Sequence, residues 1–223
     1  MSAEFRASEL RTALAQDRVM AILRYRAGGD VRTAIEALSQ GGLRVLEVTV
    51  DTPGGWEAIK AATDQPQLVI GAGTVTEIEQ VGRVADLGGR FIVSPGFDAA
   101  IVNAALERGL EALPGIATGT EVLAARRAGT QLFKLFPAGG LGRQYLTELK
   151  GPFGRESFVP TGGVGIKDIA DWLGAGAFAV AIGSDLAGRT PPRSPEESAC
   201  LSERAHTALA QAALLGPAAE VGT

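Results

Sequence analysis

The sequence holds one cysteine and one histidine, and these scarcities exclude several kinds of site. Cys200 is the only cysteine, so neither an intramolecular disulfide nor a thiolate cluster for zinc can form. His206 is the only histidine and falls in a helical pattern over 195–215, which favours a surface or packing role. The sequence therefore disfavours any mechanism built on a histidine base or on a metal held by several histidines.

Excess positive charge and long apolar runs are also lacking. The net charge is −4 and the arginines are scattered, which gives no basic surface for nucleic acid. No apolar stretch reaches the length that crosses a bilayer, and the first residues lack a basic segment followed by an apolar one. We therefore expect a cytoplasmic protein that binds a small soluble ligand, with neither nucleic acid nor a membrane as partner.

Lysine is scarce as well, and one lysine lies in an unusual place. Of 21 basic residues only four are lysines. Lys134 alone interrupts an apolar, strand-like run, Gln131-Leu-Phe-Lys-Leu-Phe-Pro137. A desolvated ammonium tends to lose its proton, and a neutral amine is a nucleophile. The alternative is a lysine at a strand end that extends into solvent.

Apolar, β-rich runs alternate with helical patterns along the chain. The eight strand-like runs are 19–23, 44–50, 68–71, 91–94, 111–114, 132–136, 157–161 and 177–182. The helical patterns between them are 31–39, 54–62, 77–87, 99–108, 120–128, 144–149 and 166–174. Such alternation indicates βαβ units and a parallel sheet.

Eight units predict a closed (β/α)₈ TIM barrel that forms a single domain over residues 1–223. An open doubly wound sheet is the alternative, but the strand number is large and no dinucleotide fingerprint follows the first run. We expect an extra helix over 2–15 before the first strand, a helix over 195–215 and a frayed tail over 216–223.

In such a barrel the site lies at the carboxyl ends of the strands. On the second run Val45, Glu47 and Thr49 share one face, so a carboxylate stands among apolar side chains. If Lys134 attacks a carbonyl to form an imine, Glu47 can move protons in the same cavity. The alternative is a buried structural ion pair between Glu47 and Lys134.

Other strand ends carry groups that suit anions. Arg24 ends the first run and Thr74 follows the third, and a guanidinium beside a hydroxyl suits a small carboxylate. Glycine-rich segments follow the seventh and eighth runs, at 161–164 and 182–185, where barrels commonly bind phosphate. The alternative is that Arg24 is an ordinary surface residue and that the glycines only shape turns.

An ordered set of motifs over about residues 18–186 resembles the KDPG/KHG aldolases, the bacterial 2-dehydro-3-deoxyphosphogluconate aldolase family. The motifs are Ala21-Ile-Leu-Arg24, Leu46-Glu-Val48, Ile70-Gly-Ala-Gly-Thr74, Ile92-Val-Ser-Pro-Gly96, Leu113-Pro-Gly115, Phe133-Lys-Leu-Phe-Pro137, Lys150-Gly-Pro-Phe153, Phe158-Val-Pro-Thr-Gly-Gly-Val164 and Ile182-Gly-Ser184. The resemblance implies a class I aldolase, a lyase that needs neither metal nor cofactor and that usually forms a homotrimer. Its implied substrate is 2-dehydro-3-deoxy-6-phosphogluconate, which it cleaves to pyruvate and glyceraldehyde 3-phosphate.

The resemblance also implies a role for each matched residue. Lys134 is the Schiff-base lysine and Glu47 the general acid and base. Thr74 helps to hold the substrate carboxylate, and Thr161 and Pro95 face the substrate hydroxyls. The implied phosphate-binding residues are Gly162, Gly163, Gly183 and Ser184.

One position departs from the family pattern. Many members carry an arginine four residues after the catalytic glutamate, where this chain has Asp51. Members with a similar gap have an arginine at the end of the first strand instead, which assigns the carboxylate to Arg24.

Three rival functions stay open at this point. The first is the same chemistry on 4-hydroxy-2-oxoglutarate or on 2-dehydro-3-deoxy-6-phosphogalactonate. The second is a phosphate-binding barrel isomerase or decarboxylase that forms no imine. The third is a barrel that binds a keto acid without turnover.

Overall fold

The computed structural model describes residues 9–218 as a parallel α/β protein. The strands in that range are β1 Val19–Leu23, β2 Val45–Thr49, β3 Val69–Gly73, β4 Phe91–Val93, β5 Glu111–Leu113, β6 Gly115–Ile116, β7 Leu132–Leu135, β8 Ser157–Pro160 and β9 Val180–Ile182. The α-helices there are α1 Glu9–Asp17, α2 Val31–Gln40, α3 Gly55–Ala62, α4 Ile78–Asp86, α5 Ala99–Glu107, α6 Gly119–Arg127, α7 Ala138–Leu141, α8 Arg143–Lys150, α9 Ile169–Gly174, α10 Ser184–Ala187 and α11 Pro195–Ala213. A 3₁₀ turn at Ile166–Asp168 leads into α9.

Several helices begin where a side chain accepts hydrogen bonds from the free backbone N–H groups of the first turn. Asp30 accepts a hydrogen bond from the N–H of Arg32 at the start of α2, and Asp98 does the same for Ala100 at the start of α5. Thr118 and Glu121 form a reciprocal capping box at the start of α6. Local sequence therefore sets where these crossover helices begin.

The strands form two parallel sheets, so the predicted closed eight-stranded TIM barrel is wrong. One sheet has the order β5-β4-β3-β2-β1-β9 and the other has the order β6-β7-β8. Pro114 separates β5 from β6, and because proline has no N–H it cannot continue the ladder. Between β8 and β9 no ladder is formed within residues 9–218, where the contacts are an isolated bridge, Thr161 with Ala181, and a hydrogen bond from the N–H of Phe178 to the carbonyl of Phe158. The larger sheet is thus an open half-barrel.

Each of the eight strand-like runs contains a strand, but the alternation is less regular than predicted. The fifth run is followed at once by β6, and the short helices α7 and α10 were not predicted as separate elements. The predicted helix over 2–15 appears as α1, and residues 2–8 lie outside the described range. The final helix ends at Ala213, and residues 219–223 of the predicted tail lie outside the same range.

The strands bury apolar side chains on both faces, as parallel sheets do. Leu46, Val48 and Phe133 belong to the core between the strands and the surrounding helices. Val45 and Leu132 belong to a second core, in which Leu14 of α1 also packs. We call the strand face that holds this second core the inner face. Because side chains alternate along a strand, every second residue belongs to it.

Within the described range no helix is both long and apolar enough to cross a bilayer.

Candidate active site

The inner face leads into most of the predicted site residues. The second core, on the inner face, contains one residue from each of six strands: Ile22, Val45, Val93, Leu132, Val159 and Ala181. Residues two positions further along the chain lie on the same face, because side chains alternate along a strand. These residues are Arg24, Glu47, Pro95, Lys134, Thr161 and Gly183. The structure therefore brings these residues toward the carboxyl ends of the strands on one face.

Lys134 is buried on the inner face of β7, with 5% of its surface exposed. Its N–H donates to the carbonyl oxygen of Pro114 at 3.0 Å, which fixes the backbone between β6 and β8. Its Nζ lies 5.0 Å from the ring centroid of Phe136, within range of a cation–π contact. The side chain therefore does not extend into solvent.

Glu47 is fully buried on β2, with 0% exposure. Neither of its carboxyl oxygens has a hydrogen-bond partner among residues 9–218. Desolvation raises the pKa of Glu47, and the positive charges of Lys134 and Arg24 oppose that shift. The carboxyl of Glu47 and the amine of Lys134 therefore interact electrostatically, yet no salt bridge within 4.0 Å joins the two side chains. This arrangement does not match a structural ion pair.

Gly73 makes room for the Glu47 carboxyl. Glu47 is paired with Gly71 in the ladder, but a Cβ on Gly73 would lie 1.7 Å from Oε1 of Glu47. The glutamate side chain therefore leans along the sheet toward the carboxyl ends of the strands. Because Gly73 has no side chain, its position admits the carboxyl of Glu47.

Phe136 is a site residue that the sequence reasoning missed. The residue is 38% exposed, and its ring lies against Nζ of Lys134. A Cβ on Gly162 would lie 2.9 Å from the same ring, so Phe136 also contacts the glycine loop after β8. Its position two residues after Lys134 places it on the inner face, which is a signal that the sequence contained.

Arg24 and Thr74 lie together at the rim. The guanidinium of Arg24 donates to Oγ1 of Thr74 and lies 3.6 Å from a carboxylate oxygen of Asp51. Its side chain is 44% exposed, so part of the guanidinium is accessible to a ligand. Thr74 has a φ of +60°, in the left-handed region that threonine seldom adopts. Asp51 therefore pairs with Arg24 at the position where the family pattern has an arginine.

The two glycine segments lie side by side. Gly162 and Gly163 have φ values of +82° and +73°, and the carbonyl of Gly162 accepts from the N–H of Gly139 in α7 at 2.8 Å. The bridge between Thr161 and Ala181 brings this loop next to Gly183 and Ser184, where α10 begins. Two glycine turns and the start of α10 therefore form this end of the candidate site.

Thr161 and Pro95 occupy different surroundings. Thr161 is 2% exposed, and its hydroxyl donates to the carbonyl of Val159 at 3.0 Å. Pro95 follows β4, and its carbonyl oxygen would lie 2.2 Å from a Cβ on Gly115. Gly115 is the ladder partner of Lys134, so Pro95 lies one strand away from the lysine. Within residues 9–218 no cluster of His, Cys, Asp or Glu side chains is arranged to hold a metal.

Comparison with known proteins identifies the family. The family model described as "Aldolase: KDPG and KHG aldolase" matches residues 10–194. The chain belongs to the KDPG and KHG aldolase family. The resemblance read from the motifs is thereby confirmed, and with it the prediction of an aldolase, a lyase.

Individual relatives agree with this assignment. The chain is 40% identical over 142 residues to the 2-dehydro-3-deoxy-phosphogluconate aldolase of Dickeya dadantii, which covers 62% of this chain and 66% of that protein. It is 33% identical over 186 residues to the 2-dehydro-3-deoxy-6-phosphogalactonate aldolase of Escherichia coli, covering 81% and 91% respectively. The aligned region thus spans about two thirds of the first relative and nine tenths of the second.

A solved structure with similar architecture comes from Legionella pneumophila. It is a KDPG aldolase with pyruvate captured as a covalent carbinolamine intermediate. The TM-score is 0.74 at 27% identity, over 94% of this chain and 98% of that one.

Proposed function

We propose that this aldolase cleaves 2-dehydro-3-deoxy-6-phosphogluconate into pyruvate and glyceraldehyde 3-phosphate through an imine on Lys134. The observation that carries the proposal is one buried amine and one buried carboxyl on the same inner face, without a direct ion pair between them. The carbinolamine held by the Legionella relative supports the same chemistry here.

The first half of the reaction builds an electron sink. Nζ of Lys134 adds to the C2 carbonyl of the substrate, and the carbinolamine loses water to give a protonated imine. The C3–C4 bond then breaks, and its electron pair moves into the imine to form the enamine of pyruvate. The burial of Lys134 supports this role, because water is excluded from the nitrogen until a substrate arrives.

Glu47 moves the protons in this proposal. It takes the proton of the C4 hydroxyl as the C3–C4 bond breaks, which releases glyceraldehyde 3-phosphate as the aldehyde. It then returns a proton to C3 of the enamine, and water hydrolyses the pyruvyl imine to free Lys134. The raised pKa of Glu47 supports this role, because it makes the carboxylate a stronger base toward the C4 hydroxyl.

The remaining predicted residues hold the substrate. In this proposal Arg24 and Thr74 bind the carboxylate, since they already lie in contact at the rim. The phosphate is received by Gly162, Gly163, Gly183 and Ser184. Thr161 and Pro95 face the hydroxyls between these two ends. Because the Thr161 hydroxyl donates to Val159, its oxygen is available to accept a hydrogen bond from the substrate.

The second candidate substrate is the galactonate epimer, and the Escherichia coli relative favours it by its coverage of 81% of this chain. Cleavage assays with the separate gluconate and galactonate substrates decide between them, with 4-hydroxy-2-oxoglutarate as the unphosphorylated third.

Borohydride reduction in the presence of pyruvate tests the mechanism itself. We expect the intact mass to increase by one reduced pyruvyl group, carried by the peptide that contains Lys134. An isomerase or decarboxylase without an imine gives no adduct, and a protein that only binds keto acids gives no turnover. We also propose a cytoplasmic homotrimer, which sedimentation and fractionation test.

A further inference from the structure

The short helix α10 is too small to hold its own position. It has four residues, Ser184–Ala187, and an isolated helical turn of that length is not stable in water. Its first residue, Ser184, belongs to the proposed phosphate end. The contacts that fix α10 therefore decide where Ser184 lies relative to the rest of the site.

One contact ties the start of α10 to the glycine loop after β8. Oδ2 of Asp185 accepts a hydrogen bond from the N–H of Ile166 at 2.7 Å. The same oxygen would lie 2.9 Å from a Cβ on Gly165, so the carboxylate rests against that loop. Gly165 and Ile166 directly follow the segment with Gly162 and Gly163. Asp185 thus connects the two segments that are proposed to receive the phosphate.

A second contact ties the end of α10 to the rim that holds Arg24. The hydroxyl of Tyr25 donates to the carbonyl of Ala187 at 2.8 Å, which satisfies an acceptor at the end of the helix. Tyr25 is 1% exposed, and burial raises its pKa, so the hydroxyl keeps its proton. The N–H of Tyr25 donates to Oγ1 of Thr52 at 3.2 Å, which anchors it to the loop after β2.

We propose that Tyr25 and Asp185 are positioning residues that hold α10 between the carboxylate end and the phosphate end of the site. Tyr25 follows Arg24 directly in the chain, so the tyrosine links the proposed carboxylate-binding arginine to the helix that begins with Ser184. Asp185 adds the link to the glycine loop. Together they fix the separation at which a phosphorylated keto acid engages both ends. This inference rests on the proposed function.

The two ends of the site can be measured separately. Pyruvate engages only the lysine and carboxylate end, so the rate of borohydride trapping with pyruvate reports on that end. Inorganic phosphate as a competitive inhibitor, and the KM for the phosphorylated substrate, report on the other end. For Tyr25→Phe we expect the KM and the inhibition constant for phosphate to rise about fivefold, the effect of one lost hydrogen bond. Trapping with pyruvate should stay unchanged.

Asp185 has a pair of variants that separates hydrogen bonding from charge. Asp185→Ala removes the acceptor and should raise the KM about as much as Tyr25→Phe does. Asp185→Asn keeps an acceptor oxygen, loses the negative charge and should restore the wild-type KM or lower it. Tyr145→Phe is the matched control, because the hydroxyl of Tyr145 also donates to a backbone carbonyl, that of Ala117, outside α10.

The proposal is overturned if Tyr25→Phe changes pyruvate trapping and the KM equally, or changes neither. It is equally overturned if Asp185→Ala lowers the KM, since the carboxylate then only repels phosphate. Should Tyr25→Phe fail to fold, as judged by circular dichroism, the Asp185 pair decides alone, because Asp185 is exposed. A wild-type protein that pyruvate never labels contradicts the proposed function instead.

Discussion

Each end of the strands holds a carboxyl that is desolvated and near a cation, yet we propose catalysis at only one end. At the carboxyl ends Glu47 is fully buried, with Lys134 and Arg24 nearby. At the amino ends Glu111 begins β5, and the positive charge of Arg11 acts on it. In both carboxyls desolvation is the largest cause of a raised pKa, and that of Glu111 rises to about 7.

The surroundings of the two carboxyls differ. Helix α1 packs against the inner core with Leu10 and Leu14. Arg11 of the same helix donates to Oγ of Ser157 and stacks 5.3 Å from the ring centroid of Phe178. The amino ends therefore meet a helix, whereas glycine loops and the half-exposed Arg24 lie at the carboxyl ends. A raised pKa alone thus does not mark a site, because burial produces it at both ends.

The largest expected effect separates Lys134 from the other lysines. Lys134→Arg keeps a positive charge but cannot form the imine, so we expect activity to fall at least about 10⁴-fold and pyruvate labelling to vanish. Intact mass after reduction measures the labelling. Lys60→Arg, on an exposed lysine, is the control and should behave as the wild type. Persistent labelling of the Lys134 variant would contradict the assignment.

The comparison of the two carboxyls is tested next by matched substitutions. Glu47→Gln keeps the shape but cannot transfer protons, so turnover should drop by about 10²–10⁴-fold while slow imine formation remains. Glu111→Gln, at the opposite end, should retain turnover. Steady-state kinetics and pyruvate trapping measure both variants. Equal losses in the two would mean that the ends do not differ in function.

Two glycine substitutions in β3 test whether the Glu47 carboxyl needs the space beside Gly73. Gly73→Ala adds a Cβ that collides with the Glu47 carboxyl, so we expect turnover to fall about as far as in Glu47→Gln, together with a stability loss of about 1–3 kcal/mol. Gly71→Ala is the control, because its Cβ meets Phe91 instead. That variant should lose stability but keep more turnover. Kinetics and thermal unfolding distinguish the two effects.

The smallest expected effect concerns stability and pH. The pKa of Glu111 rises from 4.5 to about 7 in the folded protein, so the folded state binds more protons than the unfolded state between these values. Stability should therefore fall as the pH rises from about 4.5 to about 7. Glu111→Gln should remove this slope and raise the free energy of unfolding at pH 8 by up to about 3 kcal/mol. Urea unfolding at several pH values measures it, and an unchanged slope would contradict the prediction.

The sequence was sufficient for the local features of the fold, including which residues of one strand share a face. Alternation along β2 assigns Glu47 to the same face as Val45 and Thr49, because the period of two is a local property of a strand. The pairing of the strands decides that Lys134 of β7 lies on that same face. The helix starts at Asp30, Asp98 and Thr118 are local as well, since each cap acts within a few residues.

Only the tertiary structure decided how these parts meet. The break at Pro114 depends on how two sheets are paired, and the carboxyl of Glu47 lies on Gly73 because neighbouring strands set its direction. Arg24 meets Thr74 across 50 positions, and Tyr25 reaches Ala187 across 162. Periodicity and capping act over a few residues, so the sequence by itself determined the helix starts and the residues that share a strand face. Contacts between distant residues depend on the packing of the whole chain, so only the tertiary structure decided them.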